Sequence, residues 1–302
     1  MPEKKRIVSV SLGSSKRDKI VTVDLLGQPV QIERLGTDGD KKKARALISE
    51  LDGKVAAFGM GGIDRYIFAG DRRYVSKDAE WLAAAAEKSP IVDGSGLKNT
   101  LERLVVHQLD DHIDLKDKKV MLVSSLDRFG MAEALVDCGA DVLFADLMFS
   151  MNLPIPVRNY KTITRFGRMV LPVTLRFPVE WIYPTGKKQL KRIEKYVAHY
   201  EWADVLAGDF HYIKRHAPSA LPNKIVLTNT ITAEDVQELK ESGVSLLVTT
   251  TPNMNGRSFG TNVMEAVIIA MAEKHPDEMS PDDYEQWIMK LDIKPHFQVL
   301  AK

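Results

Sequence analysis

Residues 119–146 read KVMLVSSLDRFGMAEALVDCGADVLFAD. Val120–Ser124 is a short apolar run of the kind that forms a strand buried on both faces. Ser125–Arg128 is a polar turn. A helix over Met131–Asp137 follows and stops at Cys138-Gly139, and a second strand over Asp141–Leu147 carries Asp146 near its end. This is the outline of a βαβ unit that holds a dinucleotide. Free N–H groups at the helix start hold pyrophosphate, and an acidic residue at the end of the second strand accepts hydrogen bonds from ribose hydroxyls. Of the glycine fingerprint only Gly130 is present, in the position of the last glycine. Ser124 and Ser125 stand where small residues are expected, and Arg128 is placed to pair with phosphate. Ser124, Ser125, Arg128, Gly130 and Asp146 are therefore the cofactor candidates. The cofactor expected is NAD. NADP fits less well, because its 2′-phosphate would face the Asp146 carboxylate and no Arg or Lys follows before Arg158. The same residues also suit a plain crossover that holds no nucleotide.

On either side of this unit, strands and helices alternate. Toward the N-terminus, strands are expected over Ile7–Leu12, Ile20–Leu26, Pro29–Leu35, Val55–Met60 and Pro90–Asp93. Helices are expected over Lys41–Leu51, Lys77–Lys88 and Leu97–His112. Toward the C-terminus, the pattern predicts strands near Thr162–Arg165 and Met169–Leu175, then at Asp204–Asp209, Lys224–Asn229 and Val244–Thr250. Helices are predicted over Lys187–Tyr200, Ala233–Ser242, Asn262–Glu273 and Asp282–Leu291. Such alternation means an α/β protein with parallel sheets covered on both faces. At 302 residues the chain has room for about two domains. The expected division is an N-terminal α/β substrate domain over residues 1–115 and a Rossmann-type parallel sheet over 116–262. C-terminal helices over 263–302 would brace the cleft between them.

Composition narrows the function. With 44% hydrophobic and 27% charged residues, disorder is excluded for most of the chain. Lys+Arg at 42 against Asp+Glu at 41 leaves no global basic field for nucleic acid or an anionic membrane. The apolar runs Ile7–Leu12 and Ala266–Ala272 are too short to span a bilayer. The one cysteine, Cys138, fits a reducing, cytoplasmic setting and reads as core. No metal-ligand spacing is present, since His107 and His112 are five apart on their helix. The expected partner is a small molecule, with a homodimer left open.

Ligands of parallel sheets bind beyond the carboxyl ends of the strands, so the remaining candidates are read from strand ends. Asp93 ends a strand, and Gly94 and Gly96 let backbone approach a ligand. Lys98 with Asp93 suits a proton relay in alcohol–carbonyl chemistry, with Asn99, Thr100 and Arg103 beside it to hold substrate. These residues equally suit a helix start capped by Ser95 with solvated charges. Asp64, after the glycines of Phe58–Gly62, faces the same region. Thr250, Pro252 and Arg257 lie in a polar segment after a strand. Arg257 reads as a carboxylate clamp or as a solvated arginine on a long connection, and Thr250 and Pro252 as cofactor contacts. His211 with Asp209 is the reserve acid–base pair.

Four stretches, IVSVSLGSSKRD (7–18), AFGMGGID (57–64), VDGSGLKNTLER (92–103) and TTTPNMNGRSFGTNVME (249–265), resemble proteins of the quinate/shikimate 5-dehydrogenase-like family. The resemblance spans most of the chain. It implies an NAD(P)-dependent dehydrogenase that transfers hydride to or from a small hydroxylated, carboxylated, quinate- or shikimate-like substrate. Other classes stay open: a nucleotide-binding regulatory protein without turnover, a transferase using a phosphate-bearing ligand, or a purely structural, oligomerising protein.

Overall fold

The run that opens the chain forms β1 (Lys5–Ser11), buried from Ile7 onward because it has a strand on each side. β2 (Lys19–Leu25) turns back through Leu26-Gly27, both at positive φ, into β3 (Gln28–Gly36). β3 lies parallel to β1, with Ile7 opposite Ile32. α1 (Lys41–Leu51), capped by the Asp40 carboxylate, leads to β4 (Ala57–Gly61), which is parallel to the other edge of β1. A hairpin of β5 (Tyr66–Ala69) and β6 (Arg72–Val75), α2 (Lys77–Ala83) and β7 (Ile91–Val92) complete the first lobe. Its sheet order is β2-β3-β1-β4-β7. The structure is a computed structural model and describes residues 4–177, 193–254 and 257–300.

α3 (Ser95–Asn99) and α4 (Leu101–Ile113) cross to the second lobe. There β8 (Lys119–Leu122), α5 (Phe129–Asp137) and β9 (Asp141–Phe144) form the βαβ unit, with β8 and β9 parallel in register from Lys119–Asp141 to Leu122–Phe144. α6 (Asp146–Phe149) and α7 (Tyr160–Thr174) follow, then α8 (Val197–Trp202), β10 (Val205–Ala207), α9 (Phe210–His216), β11 (Ile225–Thr228), α10 (Ala233–Glu241) and β12 (Leu246–Thr249). A short pair, β13 (Asn253–Met254) and β14 (Arg257–Ser258), leads into α11 (Thr261–Ala272). α12 (Pro281–Lys290) and β15 (His296–Val299) close the chain, β15 running antiparallel along β12. α11 is apolar on nearly every side, as a helix buried all round must be. It returns from the second sheet to pack on β1, β4 and α3 of the first lobe.

The second sheet has the order β15-β12-β11-β10-β8-β9. Its parallel strands, counted in chain order, lie 2-1-3-4-5. The architecture is thus two-part α/β with mostly parallel sheets. The order differs from the 3-2-1-4-5-6 arrangement that a Rossmann-type sheet implies. The chain reverses its winding between β8 and β10, and in the first lobe between β1 and β4. Ligands bind at such switch points in open α/β sheets.

Two predicted elements are corrected. The strands expected near Thr162–Arg165 and Met169–Leu175 are one helix, α7, capped by the Asn159 side chain. Ile163, Gly167 and Leu171 are buried at four-residue spacing, the stripe of an amphipathic helix, and Pro172 is accommodated in its last turn. Of the predicted helix Lys187–Tyr200, the part before Ile193 lies outside the described residues, and the described helix is α8.

Candidate functional site

The carboxyl ends of both parallel sheets open onto one cleft of about 550 Å³ between the lobes, a volume typical of small-molecule sites. From the first lobe come Ser9 and Ser11 of β1, Arg34 of β3, the Gly61–Asp64 turn after β4, and Asp93 after β7. From the second come Ser124 and Leu126–Arg128 after β8, Asp146, Leu147 and Ser150 after β9, and Asp209, His211, Tyr212 and Arg215 after β10. Asn229 and Thr230 follow β11. Phe166, Val170 and Leu171 of α7 form an apolar wall.

A buried ionic cluster joins the lobes at the floor of this cleft. The Lys98 ammonium, on a side chain only 4% exposed, donates to Asp64 Oδ1 at 2.6 Å and to Asp127 Oδ1 at 2.5 Å. Burial alone would lower the Lys98 pKa, but the two carboxylates outweigh it and raise it, so the lysine stays charged. Burial and the facing Asp127 charge push Asp64 upward. Asp127 moves down despite its burial, because Lys98 and Arg128 both face it. The Arg128 guanidinium is buried, pairs with the fully buried Glu102 carboxylate, and lies 3.9 Å from Asp209 Oδ2. Its Nε has no hydrogen-bond partner among the described residues. Burial raises Glu102 to about 7, against the pull of Arg128.

Asp93 does not pair with Lys98. Its Oδ2 accepts from the backbone N–H groups of Arg65 (2.6 Å) and Tyr66 (2.9 Å), and its Oδ1 from that of Ser95. It therefore fixes the start of the β5–β6 hairpin to the start of α3. Asp146 is likewise used internally. One oxygen accepts from the Ser125 hydroxyl at 2.5 Å and the other from the Leu126 N–H at 3.0 Å, and burial raises its pKa. Gly130 packs α5 onto α3: a Cβ there would collide with the Lys98 carbonyl oxygen.

Of the residues singled out in the sequence, Asp64, Asp93, Lys98, Ser124, Arg128 and Asp146 line the cleft together, and so do Asp209 and His211. Asn99, Thr100, Arg103, Ser125, Gly130, Thr250 and Pro252 are not on its wall. Asn99 Oδ1 accepts from Arg103 Nε, Arg103 pairs with Glu133, and the Thr100 hydroxyl donates to the Gly96 carbonyl. The Arg257 side chain lies outside the described residues. Cleft residues that the sequence reading did not single out are Arg17, Arg34, Asp127, Arg215 and Asn229. Asp127 lies just past a predicted strand end and Asn229 is the last residue of one, and both carried that signal. Arg34 lies inside a strand and reaches the cleft where it pairs with Asp18 and donates to Ser11 Oγ and the Ser14 carbonyl. Arg17 donates to His211 Nε2 at 2.6 Å across the lobes. Arginine only donates, so Nε2 accepts and the His211 proton sits on Nδ1. Burial, helped by Arg17, lowers the His211 pKa against the pull of Asp209 and keeps the ring neutral.

The family model described as a domain of unknown function (DUF8754) matches residues 96–300, and a second domain of unknown function (DUF8753) matches 6–93. No curated protein matches the chain. Among solved structures, a galactofuranose binding protein is 10% identical with a TM-score of 0.35, over 95% of this chain and 98% of its own. An ABC transporter solute binding protein from Burkholderia multivorans is 9% identical with a TM-score of 0.39, over 99% of this chain and 100% of its own. An NAD-dependent malic enzyme from Thermotoga maritima is 12% identical with a TM-score of 0.35, over 95% of this chain and 84% of its own. The two family models, both domains of unknown function, correct the expected kinship with quinate and shikimate dehydrogenases and remove the ground for the NAD(P)-dependent hydride transfer that it implied. The families found are domains of unknown function, and sugar-binding and solute-binding proteins stand among the similar structures. Among the described residues, no helix is long and apolar enough to cross a membrane.

Proposed function

This chain belongs to the DUF8754 family, a domain of unknown function, and we infer that it binds a small polar molecule between its two lobes. The observation that carries this reading is that the switch points of both sheets face the same cleft. A binding site needs polar groups that the protein does not use itself, set in a partly apolar wall. Ser124 meets this condition: it is 5% exposed, and its hydroxyl has no partner among the described residues. Phe166, Val170 and Leu171 supply the apolar side. On this reading residues 1–115 and 116–262 act as the two lobes, the second a doubly wound sheet that uses its switch point; within 263–302, α11 braces the cleft and β15 extends the second sheet.

A thermal-shift panel on the full chain tests the reading. Sugars, sugar acids, sugar phosphates, amino acids and NAD belong in it, NAD because Lys119–Asp146 has the outline of a dinucleotide unit. A true ligand at 100 times its Kd adds roughly 2.7 kcal/mol of stability. The rim variant Ser150→Trp adds bulk to the cleft wall at an exposed position and should abolish the shift of any hit. A hit whose shift is unchanged by Ser150→Trp binds elsewhere and contradicts the reading.

A further inference from the structure

We propose that the ligand of this cleft carries an anionic group, a carboxylate or a phosphate ester, and that Arg215 is its counter-charge. The inference rests on the reading of the cleft as a small-molecule site and names the class of molecule it takes.

Nearly every charge on the cleft wall already has a partner. Lys98 is neutralised by Asp64 and Asp127, and Arg128 by Glu102. Arg34 pairs with Asp18, and Arg17 is engaged with His211. The carboxylates are equally committed. Asp93 takes three backbone N–H groups, Asp146 takes the Ser125 hydroxyl and the Leu126 N–H, and Asp209 accepts from the His211 N–H. Arg215 is the exception. It reaches the cleft from α9, the helix that follows the switch-point strand β10. Among the described residues, its guanidinium makes no ion pair and no hydrogen bond. Its Nε is shielded from solvent without a partner. An Nε–H shielded in this way is costly unless something accepts from it, and the rest of this half-buried guanidinium is open to the cleft.

Further unspent donors lie on the same wall. Among the described residues the Ser124 hydroxyl is buried and unpartnered, and the Asn229 amide makes no hydrogen bond through its Nδ2, its Oδ1 facing the Thr228 hydroxyl at 3.4 Å. Ser124 and Asn229 follow β8 and β11, which flank β10 in the sheet. Donors in excess of acceptors, with a planar fork among them, suit a carboxylate or phosphate oxygen better than a neutral hydroxyl.

The test is calorimetric titration of the full chain with matched probes: gluconate against glucose for the carboxylate, ribose 5-phosphate against ribose for the phosphate ester. The expected result is that at least one anionic member binds about tenfold or more tightly than its neutral parent. Arg215→Met should erase that preference, while Arg215→Lys, which keeps the charge, should retain part of it. Thermal unfolding of each variant separates a folding defect from a binding defect, and Arg215→Lys carries the test if Arg215→Met does not fold. Equal binding of charged and neutral members, unchanged by Arg215→Met, overturns the anion assignment and leaves the cleft as a site for neutral molecules. Failure of every member to bind overturns the anion assignment together with the small-molecule reading on which it rests.

Discussion

Lys98 was legible in the sequence as a functional candidate because it follows a strand end and two glycines. Its partners were not. Asp64 and Asp127 are 34 and 29 residues away in sequence, and only the crossing of the lobes brings them to its ammonium. The sequence neighbour, Asp93, is instead spent on backbone N–H groups. Removing Lys98 therefore acts first on folding. Lys98→Met leaves two half-buried carboxylates facing each other and should cost about 3 kcal/mol, the lower end of the buried-pair range because both keep some solvent, read by urea unfolding; a loss below about 1 kcal/mol would contradict the pairing. Glu265 supplies a second residue-scale expectation. Its Oε1 accepts from Tyr284 and from the Gly96 N–H, its Oε2 has no partner among the described residues, and burial raises its pKa from 4.5 to about 7. Between those values the folded chain holds a proton that the unfolded chain has released, so stability falls as pH rises through this window and is flat above it. Glu265→Gln removes this contribution, about 3 kcal/mol in total. Denaturation from pH 4.5 to 8 should therefore show a shallower decline for the variant than for the wild type.

At the scale of elements, Gly130 shows how one pattern supports two readings. A lone glycine at the start of a helix in a βαβ unit resembles the last glycine of a phosphate loop. Here it is the point where α5 meets the backbone of α3, and Gly130→Ala overfills that contact. The expected loss is about 1–3 kcal/mol of stability, measured by thermal unfolding. A variant as stable as the wild type would mean that the helices are not in contact there. Gly94 works similarly at φ +99, where a Cβ would sit 2.5 Å from Thr261 Oγ1 and pin α3 away from α11. α7 reads as strands in the sequence because Pro172 and its β-branched residues break the helical pattern. Its buried stripe of Ile163, Gly167 and Leu171 becomes obvious only once the apolar wall of the cleft is known to lie beside it. The buried strands and most of the helices were legible because their apolar spacing is local. The β5–β6 hairpin and β15 were not: both are short strands stabilised by pairing partners rather than by their own pattern.

At the scale of the molecule, the alternation of strands and helices announced two parallel-rich α/β units, but not their strand order. That order depends on which edge each strand joins, a choice made by packing between segments far apart in the chain. The order matters, because it places a switch point of each sheet on the same cleft and turns two ordinary sheets into one site. The same layout couples the lobes through Lys98 with Asp64 and Asp127 and through Arg17 with His211, so a ligand held between them should also protect both sheet edges from hydrogen exchange. The most direct measurement is calorimetric titration of a panel hit into wild-type protein, Ser124→Trp and Ser150→Trp, each first checked for cooperative thermal unfolding. Saturable one-to-one binding to the wild type, lost in both folded variants, is the expected result. Binding that persists with unchanged affinity when the cleft is filled from its base and from its rim would contradict the assignment of this cleft as the ligand site.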